Sequence, residues 1–147
     1  MPNKITNIIA DFPQYRFLKG RKSFWLSPKN TIFYNSNAAE LLHEISHALL
    51  KHSDYTTDVD LIKKERAAWT NARKLAAKYN VAIDRDEIET NLDSYRDWLH
   101  AKSTCPRCNQ NGIQSIENLD YHCFACNTDW KVNHNQHKRV KRTKIAP

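Results

Sequence analysis

The sequence is poor in glycine and has no long apolar run. Only 2 of its 147 residues are glycine, so glycine does not mark the turn types or the strand register. No stretch approaches the roughly 18 consecutive apolar residues that a membrane span needs. The N-terminus lacks the charged, apolar and small-residue order of a signal peptide. We therefore expect a cytoplasmic protein with no membrane partner.

The composition is typical of a folded chain with one main core. Hydrophobic residues make up 40% and charged residues 27%, which is near the globular average and unlike disordered chains. The net charge of +7 is uneven, because residues 131–147 carry several Lys and Arg residues and no acid. This basic segment predicts either contact with phosphates or acidic partners, or a solvated, disordered terminus.

Aromatic and β-branched runs predict three short strands near the N-terminus, with the sequences QYRFL, SFWLS and TIFYN. The turn residues Ser27 to Asn30 favour a small antiparallel sheet. Three helices are predicted to follow: AAELLHEISHALLKH after the cap candidates Asn35 to Asn37, a second from Asp58 to about Tyr79, and a third from Asp84 to about His100.

All four cysteines lie in one stretch, as Cys105-Pro-Arg-Cys108 and Cys123-Phe-Ala-Cys126. Two such turns can aim four thiolates at one ion, so the spacing predicts a closed, structural zinc ribbon. Disulfides or a redox-active pair are the alternatives, and both are disfavoured in an intracellular chain with two matched turns. The ribbon could bind nucleic acid through nearby basic residues, or simply stabilise a segment too small to fold alone.

The stretch LLHEISHALL carries an HExxH motif formed by His43, Glu44 and His47. Positions four apart on a helix differ by about 40° around its axis, so the two imidazoles can reach one point. Two imidazoles suit zinc, and Glu44 could take a proton from a water at an open coordination position. The alternative is an exposed helical face without metal. His52 is expected on the opposite side of a continuous helix.

A third ligand is predicted on the next helix. The apolar stripe of that helix consists of Leu61, Ala68, Ala72, Leu75 and Tyr79. Glu65 continues the stripe, and a buried carboxylate requires a partner. A metal ion held by His43 and His47 would be such a partner. The alternative is that Glu65 lies at the edge of the stripe and reaches solvent or a lysine.

The stretches HEISHALLKH and ERAAWTNARKLA resemble the ImmA/IrrE family of zinc metallopeptidases, over roughly residues 15–80. The resemblance implies a gluzincin-like core in which His43, His47 and Glu65 bind a catalytic zinc and Glu44 is the general base. Members often cut repressor-type regulators and carry a helix-turn-helix module, which this sequence lacks. A weaker resemblance is to SprT-like proteases, which join HExxH to a zinc ribbon and act on DNA-bound proteins, but usually with a histidine as third ligand.

The sequence therefore predicts a zinc metallopeptidase that hydrolyses peptide bonds of a protein substrate, such as a regulator or a nucleic-acid-bound protein. One catalytic and one structural zinc ion are expected. The oxyanion donor stays open among Tyr34, Tyr55, Tyr95 and His100. The rival hypothesis is a nonenzymatic adaptor whose ribbon and tail bind nucleic acid.

The expected fold class is α+β, with a small antiparallel sheet packed on the HExxH helix and two further helices, followed by the four-cysteine zinc ribbon. The predicted domains are a minimal metallopeptidase domain over residues 1–102, the ribbon over 103–133, and a basic, disordered tail over 134–147.

Overall fold

The computed structural model of the chain describes residues 4–133 and 139–146. Within these residues the chain packs as two compact units. The first takes up the chain as far as Tyr55, together with Lys63–Glu89, and the second takes up Thr56–Ile62 and the chain from Thr90 onward. Neither unit is therefore continuous in sequence.

The described residues form four α-helices and two small sheets, which confirms the α+β class. The helices are α1 (Lys4–Ala10), α2 (Ala38–Leu49), α3 (Asp58–Tyr79) and α4 (Arg85–Ser103). The sequence predicted α2, α3 and α4 but not α1, whose single buried side chain, Ile8, gives no periodic signal. No helix in the described part of the chain is both long and apolar enough to cross a membrane.

The first unit contains a three-stranded sheet with the strand order β1-β3-β2. The strands are β1 (Arg16–Lys19), β2 (Phe24–Leu26) and β3 (Thr31–Tyr34). Between β2 and β3, residues Ser27–Lys29 form a 3₁₀ turn that ends at Asn30 with φ 50°, a left-handed conformation that Asn tolerates. Because β3 lies between β1 and β2, β2 is an edge strand of this sheet.

The prediction of an antiparallel sheet is wrong for one of the two pairings. β2 runs antiparallel to β3, as predicted, but β1 runs parallel to β3, with Arg16 opposite Thr31. β1 and β2 lie on opposite sides of β3, so the chain passes from one edge of the sheet to the other between Lys19 and Phe24. Residue periodicity identifies a strand but does not identify its neighbour, which is why the sequence could not show this.

Helix α2 packs against β2 and β3. The apolar residues buried in the first unit are Ile8, Phe12, Ile32, Ala39, Leu41, Leu42, Ile45, Ala48, Ala68, Trp69, Ala72, Ala76 and Ile88. Most of the residues of α2 are buried, so its polar side chains at these positions must find partners inside the unit.

The second unit contains a four-stranded antiparallel sheet with the order β4-β5-β6-β7. The strands are β4 (Ile113–Gln114), β5 (Tyr121–His122), β6 (Asp129–Val132) and β7 (Arg142–Lys144). Trp130 is fully buried in its core. A Cβ at Gly112 would lie 2.4 Å from the Trp130 ring and 2.7 Å from the His122 carbonyl oxygen, so this close approach requires glycine.

Strand β7 lies within the segment predicted to be a disordered tail, and for Arg142–Lys144 that prediction is wrong. The strand pairs with β6, and Arg142 Nη1 donates a hydrogen bond to the Thr104 carbonyl at 2.6 Å. Strands pair through backbone hydrogen bonds, so the basic side chains of this segment gave no sign of a strand. Residues 134–138 of the predicted tail lie outside the described residues.

A buried ion pair joins the ends of two helices in the second unit. Lys102, near the end of α4, is 1% exposed, and its Nζ lies 2.9 Å from Asp58 Oδ1 at the start of α3. Lys102 Nζ also lies over the Trp98 ring. The Tyr121 hydroxyl donates to Asp58, and Trp130 Nε1 donates to the Lys102 carbonyl at 2.9 Å. The four-stranded sheet therefore contacts the ends of both helices. The second unit thus includes residues that precede position 103, where the ribbon was predicted to begin.

Candidate metal centres

Helix α2 positions the HExxH motif. The Asn37 side chain accepts a hydrogen bond from the Glu40 backbone N–H at 3.1 Å and so caps the first turn. His43 and His47 follow on the buried face. The His43 ring stacks on Trp69 of α3, with 4.0 Å between ring centroids. The motif is therefore held inside the unit rather than on an exposed helical face.

The structure brings together the three residues predicted to bind the catalytic metal. Glu65 Oε2 lies 3.1 Å from His43 Nε2, and Glu65 Oε1 lies 3.2 Å from His47 Nε2. All three side chains are buried, and their ligand atoms lie within 4.8 Å of one another. The proposed alternative for Glu65, a solvent-facing position at the edge of the stripe, does not fit this burial.

Two atoms of this cluster have unmet bonding capacity. His43 Nε2 and Glu65 Oε2 are buried but have no hydrogen-bond partner among the described residues, although they are neighbours. Buried polar atoms without a partner are uncommon and costly. A cation between the two imidazoles and the carboxylate would satisfy both atoms, and nitrogen and carboxylate ligands suit zinc. The donor set thus fits a metal ion.

The pKa shifts of His43 and Glu65 favour the protonation states that metal ligands require. Burial lowers the pKa of His43, which favours the neutral imidazole that a metal requires. Burial alone would raise the pKa of Glu65, but the polar and charge interactions with the two neighbouring histidines lower it to about 2. Burial alone would likewise lower the pKa of His47, but the interaction with Glu65 raises it. Glu65 is therefore a carboxylate at neutral pH.

The pKa of Glu44 is raised, whereas the pKa of Glu65 is lowered. Burial raises its pKa to about 7, although the charge of His47 and a backbone hydrogen bond from Trp25 oppose the shift. Its Oε1 lies 3.9 Å from His43 Nδ1. A carboxyl group whose pKa lies near neutrality can both accept and return a proton. The Trp25 contact also places Glu44 beside the edge strand β2.

His52 does not lie where the sequence predicted. Helix α2 stops at Leu49, and Lys51 takes a left-handed conformation with φ 58°. The chain then turns back, so that His52 Nδ1 lies 2.8 Å from His47 Nδ1. The prediction of an opposite-facing His52 was wrong because it assumed a continuous helix. A left-handed residue at this position is usually Gly or Asn, so Lys51 gave no signal of the helix end.

A small cavity borders the same region. It has a volume of about 190 Å³, and its lining includes Trp25 and Pro28 from the β2 end and His52 from the segment after α2. Trp25 Nε1 donates a hydrogen bond to the His52 carbonyl at 2.8 Å. Sequence reasoning identified neither Trp25 nor this cavity, because their proximity to the motif arises only from the packing of α2 on β2.

The four cysteines converge on one point in the second unit. The Sγ atoms of Cys105 and Cys126 lie 3.6 Å apart, and those of Cys108 and Cys123 lie 3.5 Å apart. Thiolates bound tetrahedrally to zinc would be separated by about 3.8 Å, given a Zn–S bond of about 2.3 Å. None of the four forms a disulfide. The arrangement can therefore hold one metal ion with no position left for a substrate.

The two cysteine turns have the same local structure. In each, an Asn follows the second cysteine with positive φ, 64° at Asn109 and 58° at Asn127. The N–H of each Asn donates to the carbonyl of the first cysteine, at 3.0 and 2.7 Å. A hydrogen bond from Thr128 lowers the pKa of Cys126 to about 6, which favours the thiolate that binds metal.

The four candidates for the oxyanion donor are divided between the units. Tyr34 ends β3 and Tyr55 lies in the loop before α3, whereas Tyr95 and His100 lie on the part of α4 that belongs to the second unit. The oxyanion role remains unassigned.

Comparison of the chain with protein-family models, with curated proteins and with solved structures gives no match. The function must therefore be inferred from the chemistry of the two clusters.

Proposed function

We propose that the chain is a zinc-dependent metallopeptidase of the ImmA/IrrE-like type, with a catalytic zinc at His43, His47 and Glu65 and a structural zinc at the four cysteines. The observation that carries the proposal is the buried cluster of two imidazoles and one carboxylate with Glu44 beside it. A purely structural zinc site would be closed by a fourth protein ligand. The three-ligand cluster with an adjacent proton acceptor is instead suited to hydrolysis.

The chain's own residues supply the proton transfer. Glu44 accepts a proton from the attacking water and later passes it to the leaving amine nitrogen. A zinc ion, when bound, would polarise the scissile carbonyl and lower the pKa of the water. His43, His47 and Glu65 would hold that ion, and burial of their side chains keeps competing water away from the ligand atoms.

The edge strand suggests how a substrate binds. Among the described residues, no strand pairs with the outer edge of β2, and the backbone of Trp25 in this strand contacts Glu44. An extended peptide can pair with such an edge through main-chain hydrogen bonds. Its scissile bond would then pass the general base, and the neighbouring cavity could hold one small side chain. We propose an extended, unstructured segment of a protein as the substrate.

The test combines zinc analysis with cleavage. We expect the purified protein to hold two zinc ions, one for each cluster, and His47→Ala to hold one. Glu44→Gln should retain both ions and lose cleavage of a library of short unstructured peptides, measured by mass spectrometry, because only the proton acceptor is removed. Glu117→Gln, at an exposed position outside both clusters, is the matched control and should cleave normally.

Two outcomes would overturn the proposal. A single zinc ion that His47→Ala does not remove would leave only the ribbon site and favour the nonenzymatic, nucleic-acid-binding adaptor. Cleavage that persists in Glu44→Gln at the wild-type rate would show that the activity comes from a contaminant or from another site.

A further inference from the structure

The end of helix α2 brings two imidazoles into contact. The His52 N–H donates to the His47 carbonyl at 2.9 Å, and the Lys51 N–H donates to the Ala48 carbonyl at 3.0 Å. This pair of bonds around a left-handed residue is a Schellman motif, which places the side chain after the left-handed residue on the last turn of the helix. In this chain the side chains that meet are those of His47 and His52.

The contact is a hydrogen bond as well as a packing contact. The two Nδ1 atoms are 2.8 Å apart, and the ring planes meet at 62° with centroids 5.1 Å apart. The backbone of His52 is held as well, because Trp25 Nε1 donates to its carbonyl at 2.8 Å. His47 is buried and His52 is partly buried, so water competes only in part for the bond.

The hydrogen bond and the metal cluster engage different nitrogens of the His47 ring. His47 Nε2 points at Glu65. For Nε2 to offer a lone pair to a metal, the ring proton of neutral His47 must be on Nδ1. That N–H then requires an acceptor, and His52 Nδ1 lies within hydrogen-bond distance of it. His52 must accordingly carry its own proton on Nε2.

We propose that His52 is a positioning residue for the metal centre: its Nδ1 accepts the His47 Nδ1–H and so holds His47 with Nε2 towards the metal. Outer-shell partners of this kind fix the tautomer and ring orientation of ligating histidines. The inference rests on the proposed function, because it presupposes a metal at His43, His47 and Glu65.

The test measures zinc affinity at this site, by competition with a chelator too weak to empty the four-cysteine site. His52→Leu removes the acceptor and should weaken zinc binding by about 10- to 100-fold. His52→Asn offers a carbonyl oxygen near the position of Nδ1 and should restore most of the affinity. Lys74→Leu, at an exposed position on α3 in the same unit, is the control and should bind zinc as the wild type does.

A second readout is independent of affinity. In the zinc-loaded protein, ¹⁵N NMR of the imidazoles should show His47 protonated on Nδ1 and His52 protonated on Nε2. This measurement uses the wild type, so it remains possible if His52→Leu fails to fold. Loss of the ribbon zinc and of the helical circular dichroism signal would reveal such a failure.

The possible failures can be told apart. One zinc ion per wild-type chain would refute the proposed function and the inference with it. Two ions in the wild type, combined with unchanged zinc affinity in folded His52→Leu, or with His52 protonated on Nδ1 in the loaded protein, would refute the inference alone. Equal loss of affinity in the Leu and Asn variants would also refute it, because ring packing, and not the hydrogen bond, would then be what matters.

Discussion

Glu44 is a largely buried carboxyl group that folding favours in its protonated form. Its pKa rises from 4.5 to about 7, mainly through burial. A raised pKa in an acid contributes stability below its ordinary pKa, and this contribution is lost as the pH rises through the folded value. The ionised side chain is therefore destabilising above about pH 7 in the metal-free site.

Replacing Glu44 with Gln should remove this pH dependence. Between about pH 5 and 8, the unfolding free energy of wild type should fall by roughly 2–3 kcal/mol relative to Glu44→Gln. Urea unfolding of both proteins, with the HExxH-site metal stripped by the weak chelator, checks this. Parallel pH curves would show that Glu44 ionises in the folded protein as readily as in the unfolded chain.

At the scale of single residues, sequence spacing predicted the clusters better than their surroundings. His43 and His47 follow from helical geometry, and Glu65 follows from an acid in an apolar stripe. His52 and Trp25 could not be predicted in the same way, because their positions depend on where α2 ends and on which strand packs against it.

The C-terminus of α2 contains a residue in an unfavourable conformation. Lys51 has φ 58°, a region in which glycine carries no Cβ penalty. Lys51→Gly should therefore stabilise the protein, by about 1 kcal/mol. Lys51→Ala removes the same side chain but keeps the Cβ, and should give no such gain. Denaturant unfolding of the two variants compares them directly, and equal stabilities would mean that the conformation costs little.

The sequence determines where a helix begins and ends better than it determines which strands pair. The bounds of α3 agree with the prediction, because capping residues and the apolar period are local signals. The parallel pairing of β1 with β3 and the pairing of β7 with β6 were not predictable. These pairings join segments that are separated in sequence. The alternation of apolar and polar residues within a strand does not show which other strand it pairs with.

At the scale of the whole molecule, the buried Lys102–Asp58 pair has consequences for stability. Removing one partner leaves a charge without compensation, at a cost of about 3–5 kcal/mol. Lys102→Met should therefore lower the unfolding free energy strongly. Lys102→Met combined with Asp58→Asn should recover much of the loss, because both charges are then removed. A double-mutant cycle measured by chemical unfolding checks the coupling, and additive losses would show that the pair does not interact.

The order of segments in the second unit limits how the ribbon can be separated from the rest of the chain. Residues Thr56–Ile62 pack with the cysteine-bearing portion, while the chain between them and Thr90 belongs to the first unit. A fragment that begins at Thr90 keeps the four cysteines, Lys102 and Trp130, but it loses Asp58, which accepts from the Tyr121 hydroxyl and pairs with Lys102. Such a fragment, produced alone, would bury the Lys102 charge without its partner.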